Sequence, residues 1–245
     1  MTYCVGMMLD HGLVLMSDTR TNSGVDNISV FRKMHCWSVA DERIITVMTA
    51  GNLATTQSVI SQLEERTKAP AERHNSLLEA PTMFQVATLA GKLLRETIQA
   101  RQEDNGQKAA GQFSASMIVA GQIKGMEPRM FLVYPEGNFI EASADTPFFQ
   151  IGETKYGRPI ILRAYEPDMS FEDAVKLLLV SFDSTLKANL SVGLPLDLIV
   201  VARDHFEPLH NRRITSSDPY YGKVSSGWGE ALRKAFDSLP DYSFD

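Results

Sequence analysis

At 245 residues, with 44% hydrophobic and 22% charged residues, the chain has the composition of a globular protein long enough to bury a large core. A net charge of −6 and a pI near 5.4 weigh against a broad nucleic-acid or anionic-membrane surface. Cys4 and Cys36 are too few for a disulfide framework and lack metal-ligand spacing, and no apolar run approaches the roughly 18 residues of a membrane span, so the expected location is the cytoplasm.

The chain opens Met1-Thr2 and runs directly into a strand-like segment, residues 3–9. Removal of the initiator methionine would leave a threonine that carries a hydroxyl nucleophile and a free α-amine on one residue. Such an amine titrates near about 7.7–8 in peptides, so much of it accepts a proton at neutral pH. Asp10-His11-Gly12 supplies a hairpin turn to a second strand, 13–17. A polar loop over 21–27 leads to an extended stretch at 28–33, and strands at 36–39 and 43–50 form another hairpin around Ala40-Asp41-Glu42. After Gly51 the apolar spacing changes from two to 3.6, predicting a helix over 52–66. A loop with Pro70 and Pro81 precedes a second helix, whose Thr82…Gln85 matches a capping box.

A polar loop at 103–112 returns the chain to strands at 113–120, 130–134, 139–142 and 148–151. A helical stretch near 156–164 ends before Pro167, and Ser170 caps a helix over 171–188 that is apolar nearly all round and therefore needs cover on several sides. A core strand at 196–202 follows; the tail from about 203 reads as loop, with a helix at 229–239. Antiparallel strands with segregated helix pairs predict an α+β sandwich, helices outside two stacked sheets, in a single domain over residues 1–245.

Three features line up with Thr2. Asp18 ends the second strand, Lys33 ends the next ordered stretch, and Gly51 stands where a strand gives way to a helix. Alone, each has a plain structural use: turn chemistry, a solvated cation, a steric convenience. Together they supply what amide hydrolysis requires. A cation beside the threonine favours the alkoxide and lowers the amine's pKa, and a carboxylate holds that cation in place. An outward N–H at a helix start is an oxyanion donor, typically worth about 2.7–4 kcal/mol. His205 and His210 lack the compact ligand set of a metal site, so neither a metal nor a cofactor is expected.

This series resembles the proteasome β-subunit and HslV group of N-terminal nucleophile hydrolases. The residues that carry the resemblance are Thr2, Gly12-Leu13-Val14-Leu15, Ser17-Asp18-Thr19-Arg20, Lys33, the run from Gly51 to Gln57, and Ile151-Gly152-Glu153-Thr154-Lys155-Tyr156-Gly157. Within the group it looks most like Anbu, the bacterial ancestral β-subunit, through Thr2-Tyr3-Cys4-Val5-Gly6, the run from Ser17 to Asn22, Val25-Asp26-Asn27-Ile28 and the run from Phe31 to His35. The resemblance implies a four-layer αββα fold, a cofactor-free threonine peptidase and a ring or spiral of identical subunits. Its substrate would be a peptide or unfolded protein; no nucleic acid or membrane partner is implied, and an ATP-dependent partner is left open. By position, Thr2 is nucleophile and base, Lys33 tunes it, Asp18 orients Lys33 and the Gly51 N–H is the oxyanion donor. Thr21, Asn22 and Gly51 would pair with a substrate laid as an extra strand, and Phe31, Thr49 and Leu53 would shape the pocket before the scissile bond. Glu153 stands where the family carries a serine that assists the amine. Of a second helper pair only Ser191 is present, with Asn189 or Asp183 in place of the missing Asp. A carboxylate near the amine would raise its pKa and slow base catalysis at neutral pH. The opposing expectation is a proteasome-like scaffold whose site is slow or idle.

Overall fold

A computed structural model describes residues 1–22, 28–68, 75–105 and 111–244. The strands are β1 Tyr3–Leu9, β2 Gly12–Asp18, β3 Arg20–Asn22, β4 Ile28–Val30, β5 Met34–Val39, β6 Arg43–Gly51, β7 Ala115–Ile123, β8 Arg129–Val133, β9 Phe139–Glu141, β10 Phe148–Gly152, β11 Leu196–Ala202 and β12 His210–Ile214. The helices are α1 Leu53–Lys68, α2 Met83–Asn105, α3 Arg158–Ala164, α4 Phe171–Ala188 and α5 Pro219–Asp237. One antiparallel sheet runs β10-β1-β2-β11-β12, a second runs β5-β6-β7-β8-β9, and β3 pairs with β4 alone.

Alternation along the central strands builds the layers. In β1, Tyr3, Val5, Met7 and Leu9 pack toward α3 and α4, while Cys4 points between the sheets. In β6, Ile45 and Val47 pack against α1 and α2, whereas Ile44, Met48 and Ala50 face the other sheet. β7 repeats the division, Met117 and Val119 outward and Ile118 and Ala120 inward. Strands buried on both faces read as continuous apolar runs, which is why residues 3–9 and 43–50 stand out in the sequence. The result is the four-layer α-β-β-α sandwich expected from the sequence.

Local chemistry sets the element boundaries. Leu9 pairs with Gly12, leaving a two-residue turn. Asn52 caps α1, its Oδ1 accepting from the Thr55 N–H at 3.0 Å; Thr82 accepts from Gln85 at 3.2 Å, and Ser170 accepts from Asp173 at 3.1 Å. Several boundaries differ from expectation. Thr21 and Asn22 belong to β3, and the stretch expected over 28–33 is strand only to Val30. Residues 103–105 extend α2, while 23–27, Pro70 and 106–110 of the expected loops lie outside the described residues. The tail after 203 contains β12, and 196–202 is therefore not the last strand. β12 is a polar edge strand with only Ile214 buried, so no apolar alternation announces it. The last helix begins at Pro219, ten residues before the expected start, because Asp218 caps it by accepting from Tyr220 and Tyr221. Gly222, Gly227 and Gly229 weaken its helical signal in the sequence.

Candidate active site

The ends of β1, β2 and β6 converge with the segment before β5. Asp18, the last residue of β2, is fully buried. Its Oδ1 accepts from the Tyr3 N–H at 3.0 Å and from Lys33 Nζ at 2.8 Å, and its Oδ2 accepts from the Gly193 N–H at 3.4 Å. Burial raises the Asp18 carboxyl pKa above the ordinary range, while Lys33 and the two backbone donors pull the other way. A buried carboxylate is tolerable only with such partners.

Lys33 fills its remaining donor positions with backbone oxygens, Arg20 at 2.6 Å and Met1 at 3.4 Å. Thr2 is buried beside them at the start of β1. Its carbonyl accepts from the Glu153 N–H at 2.7 Å. Gly152, paired with Tyr3, has φ +84°, and a Cβ there would lie 2.0 Å from the Thr2 oxygen. Only glycine permits β10 to approach Thr2 this closely. The Met1 amine has a lowered pKa, chiefly from burial and next from the Lys33 charge, with Asp18 opposing. An amine in this corner is thus biased toward its proton-free form.

Thr2 and Lys33 open onto a cavity of about 780 Å³. Gly51 borders it as the exposed last residue of β6, with φ +116°. A Cβ at Gly51 would lie 2.4 Å from the Ser114 oxygen, so this backbone position again admits only glycine. Thr21, Phe31, Thr49 and Leu53 also border the cavity. Thr49 donates its N–H to the Lys33 oxygen at 2.9 Å, and Phe31 donates its N–H to the Thr19 oxygen at 2.9 Å, tying the cavity wall to the Lys33 segment. Asn22 lies in β3 next to Thr21.

The other expected helpers sit apart from that cavity. Glu153 is buried, its Oε2 accepting from Asn189 Nδ2 at 3.0 Å and its Oε1 from the Lys155 N–H at 3.3 Å. Asn189 Oδ1 accepts from the Ser191 N–H at 2.9 Å. Among the described residues the Ser191 hydroxyl makes no hydrogen bond to Thr2, Lys33 or Asp18. Of the two residues considered in place of the missing Asp, Asn189 joins this network. Asp183 does not: it lies on another face of α4, accepting from Lys187 at 2.8 Å and from the Tyr221 hydroxyl at 3.2 Å.

Several participants carry no sequence signal. The Arg20 carbonyl and the Gly193 N–H are backbone atoms. Arg20 also clamps the turn after α4, donating to the Leu190 oxygen at 3.0 Å, and a Cβ on Gly193 would lie 2.2 Å from its guanidinium. His35 and Glu64 border the far end of the cavity. Neither residue belongs to a motif that marks a pocket; their shared cavity becomes visible only in the folded chain.

Comparisons with known proteins agree with this fold. The family described as "Proteasome subunit" matches residues 2–201. The solved structure of Anbu (ancestral beta-subunit) from Yersinia bercovieri is 45% identical, covering 99% of this chain and 100% of that one at a TM-score of 0.91. A helical assembly of the Anbu complex from Pseudomonas aeruginosa is 43% identical over 99% and 98% of the two chains, also at 0.91. A proteasome subunit beta from Methanopyrus kandleri is 24% identical over 203 residues, 83% of this chain and 88% of that protein. Among the described residues no helix is long and apolar enough to cross a membrane, and no group of three potential metal ligands occurs.

Proposed function

Because the chain belongs to the proteasome subunit family, and within it to the Anbu group, we propose that it is a threonine peptidase whose nucleophile is Thr2 once Met1 has been removed. The observation that carries this reading is the buried Lys33–Asp18 pair, 2.8 Å apart, placed against the residue that cleavage would make the first.

The chemistry follows from that placement. Cleavage of the Met1–Thr2 bond frees the Thr2 amine beside Lys33 and removes the Met1 carbonyl from the lysine's coordination. The amine accepts the hydroxyl proton as the Thr2 oxygen attacks a peptide carbonyl. Lys33 favours the oxyanionic form of Thr2, and Asp18 fixes Lys33 while balancing its charge. The Gly51 N–H stabilises the oxygen of the tetrahedral intermediate. The amine then returns the proton to the departing amino group, leaving an ester on Thr2. Water, deprotonated by the same amine, hydrolyses that ester and regenerates the hydroxyl. β3 and the end of β6 supply strand edges for the substrate backbone. Glu153, held by Asn189, stands behind Thr2 and adjusts the amine from that side; Ser191 is joined to it only through Asn189. No cofactor is required.

The Pseudomonas aeruginosa relative forms a helical assembly, and this supports a self-assembling homo-oligomer here. Exposed Leu162, Leu232 and Phe236 provide apolar surface for such contacts. A cytoplasmic location fits the composition.

The test has two stages. Intact mass establishes whether Met1 is absent; the processed protein is then treated with a peptide epoxyketone. An adduct confined to Thr2, and lost in Thr2→Ala, is expected. Processed protein that never forms the adduct would leave the scaffold reading in its place.

A further inference from the structure

One face of α1 runs along the cavity from the candidate nucleophile to its far end. Leu53, Gln57, Ile60, Ser61 and Glu64 follow the three-and-four spacing of a single helical stripe, and all five border the cavity. Side chains on a helix lean toward its N-terminus, which in α1 is the end next to Gly51. β5 places His35 two residues beyond Lys33, a step of about 6.6–6.8 Å along a strand. The walls between are partly apolar, from Phe31, Leu53 and Ile60.

Glu64 is the carboxylate that lines this cavity among the described residues. Glu64 makes no ion pair among the described residues, although neighbouring Glu65 is paired with Lys68. His35 does not neutralise it, because burial lowers the imidazole pKa despite the nearby Glu64 charge. Lys33 is already committed to Asp18. The competing cation is Arg32, exposed at the rim, which also borders a neighbouring cavity of about 420 Å³ containing Asp197.

We infer that this cavity selects a basic residue, lysine or arginine, on the acyl side of the scissile bond, with Glu64 as the specificity-determining residue and His35 as a wall beside it. The aliphatic stem lies along Leu53 and Ile60 while the cationic head meets the carboxylate. The inference rests on the peptidase reading for its meaning, but binding alone tests it.

Short acetylated peptides ending in arginine, lysine, leucine or glutamate are titrated by calorimetry into the full chain, with Met1 removal verified by mass. Arginine and lysine peptides should bind at least about tenfold tighter than the leucine and glutamate peptides. Glu64→Gln should remove that margin while leaving the leucine peptide unchanged. A tighter glutamate peptide, a margin that survives Glu64→Gln, or no binding by any of the four would overturn it. Epoxyketone labelling separates this result from the parent reading. An arginine margin without any Thr2 adduct keeps the pocket assignment and removes the peptidase; a leucyl epoxyketone adduct without the margin does the reverse.

Discussion

On one flank of Thr2, Asp18 and Lys33 lie 2.8 Å apart and bind backbone atoms of Met1, Tyr3, Arg20 and Gly193; on the other, Glu153 is held by one amide side chain and one loop N–H. The first flank is anchored at strand ends, where a shift of any member disturbs a sheet. The second hangs on the turn after α4. The Asp18–Lys33 pair thus sits where the backbone is least free, and Glu153 sits on the more weakly tied side.

The sharpest way to break this contrast is Lys33→Ala. It strands a buried carboxylate, so a stability loss of about 3–5 kcal/mol is expected in chemical denaturation, together with loss of Thr2 labelling. A fully stable variant would show that Asp18 is held well enough without its cation. Next comes Gly152→Ala, which puts a Cβ 2.0 Å from the Thr2 oxygen at a backbone angle unfavourable for alanine. Backbone strain of about 1–3 kcal/mol should accompany a drop of about 10²-fold in epoxyketone labelling rate, since Thr2 must move to make room. Unchanged labelling would mean that β10 does not set the nucleophile's position.

A gentler probe is pH. Burial and then Lys33 lower the pKa of the Met1 amine, with Asp18 opposing, and the same surroundings are expected to act on a freed Thr2 amine. A lowered pKa keeps the base proton-free to lower pH, so labelling of the processed protein should fall off only as pH drops through a midpoint below the ordinary 7.7–8 or so. A midpoint above 8 would assign control to Glu153 instead. The smallest effect belongs to Asn189→Ala, which frees one Glu153 oxygen and one Ser191 N–H. About 1–2 kcal/mol of stability and no more than about tenfold in labelling are expected, and a larger loss would erase the distinction between the two flanks.

How much of this was legible depends on which atoms did the work. Thr2, Asp18, Lys33 and Gly51 could be read because side chains, or a glycine, stood at recognisable element boundaries in a fixed order. The layer architecture was legible for the same reason: strands buried on both faces write continuous apolar runs. Backbone contributors such as the Arg20 oxygen and the Gly193 N–H leave no mark in residue identity. β12 escaped notice because an edge strand that buries one residue in five has no hydrophobic period. The choice between Asp183 and Asn189 could not be made before α4 had a defined orientation, because six residues separate them and they occupy different faces. Glu64 looked like an ordinary surface acid until β5 lay opposite it.

Asp18 collects donors from residues 3, 33 and 193, contacts that span 15, 15 and 175 positions of chain. In chain order the third comes only after ten strands and four helices, just ahead of β11. A half-made or unravelling copy therefore lacks the full donor set of Asp18, which closes only when the turn ahead of β11 is in place.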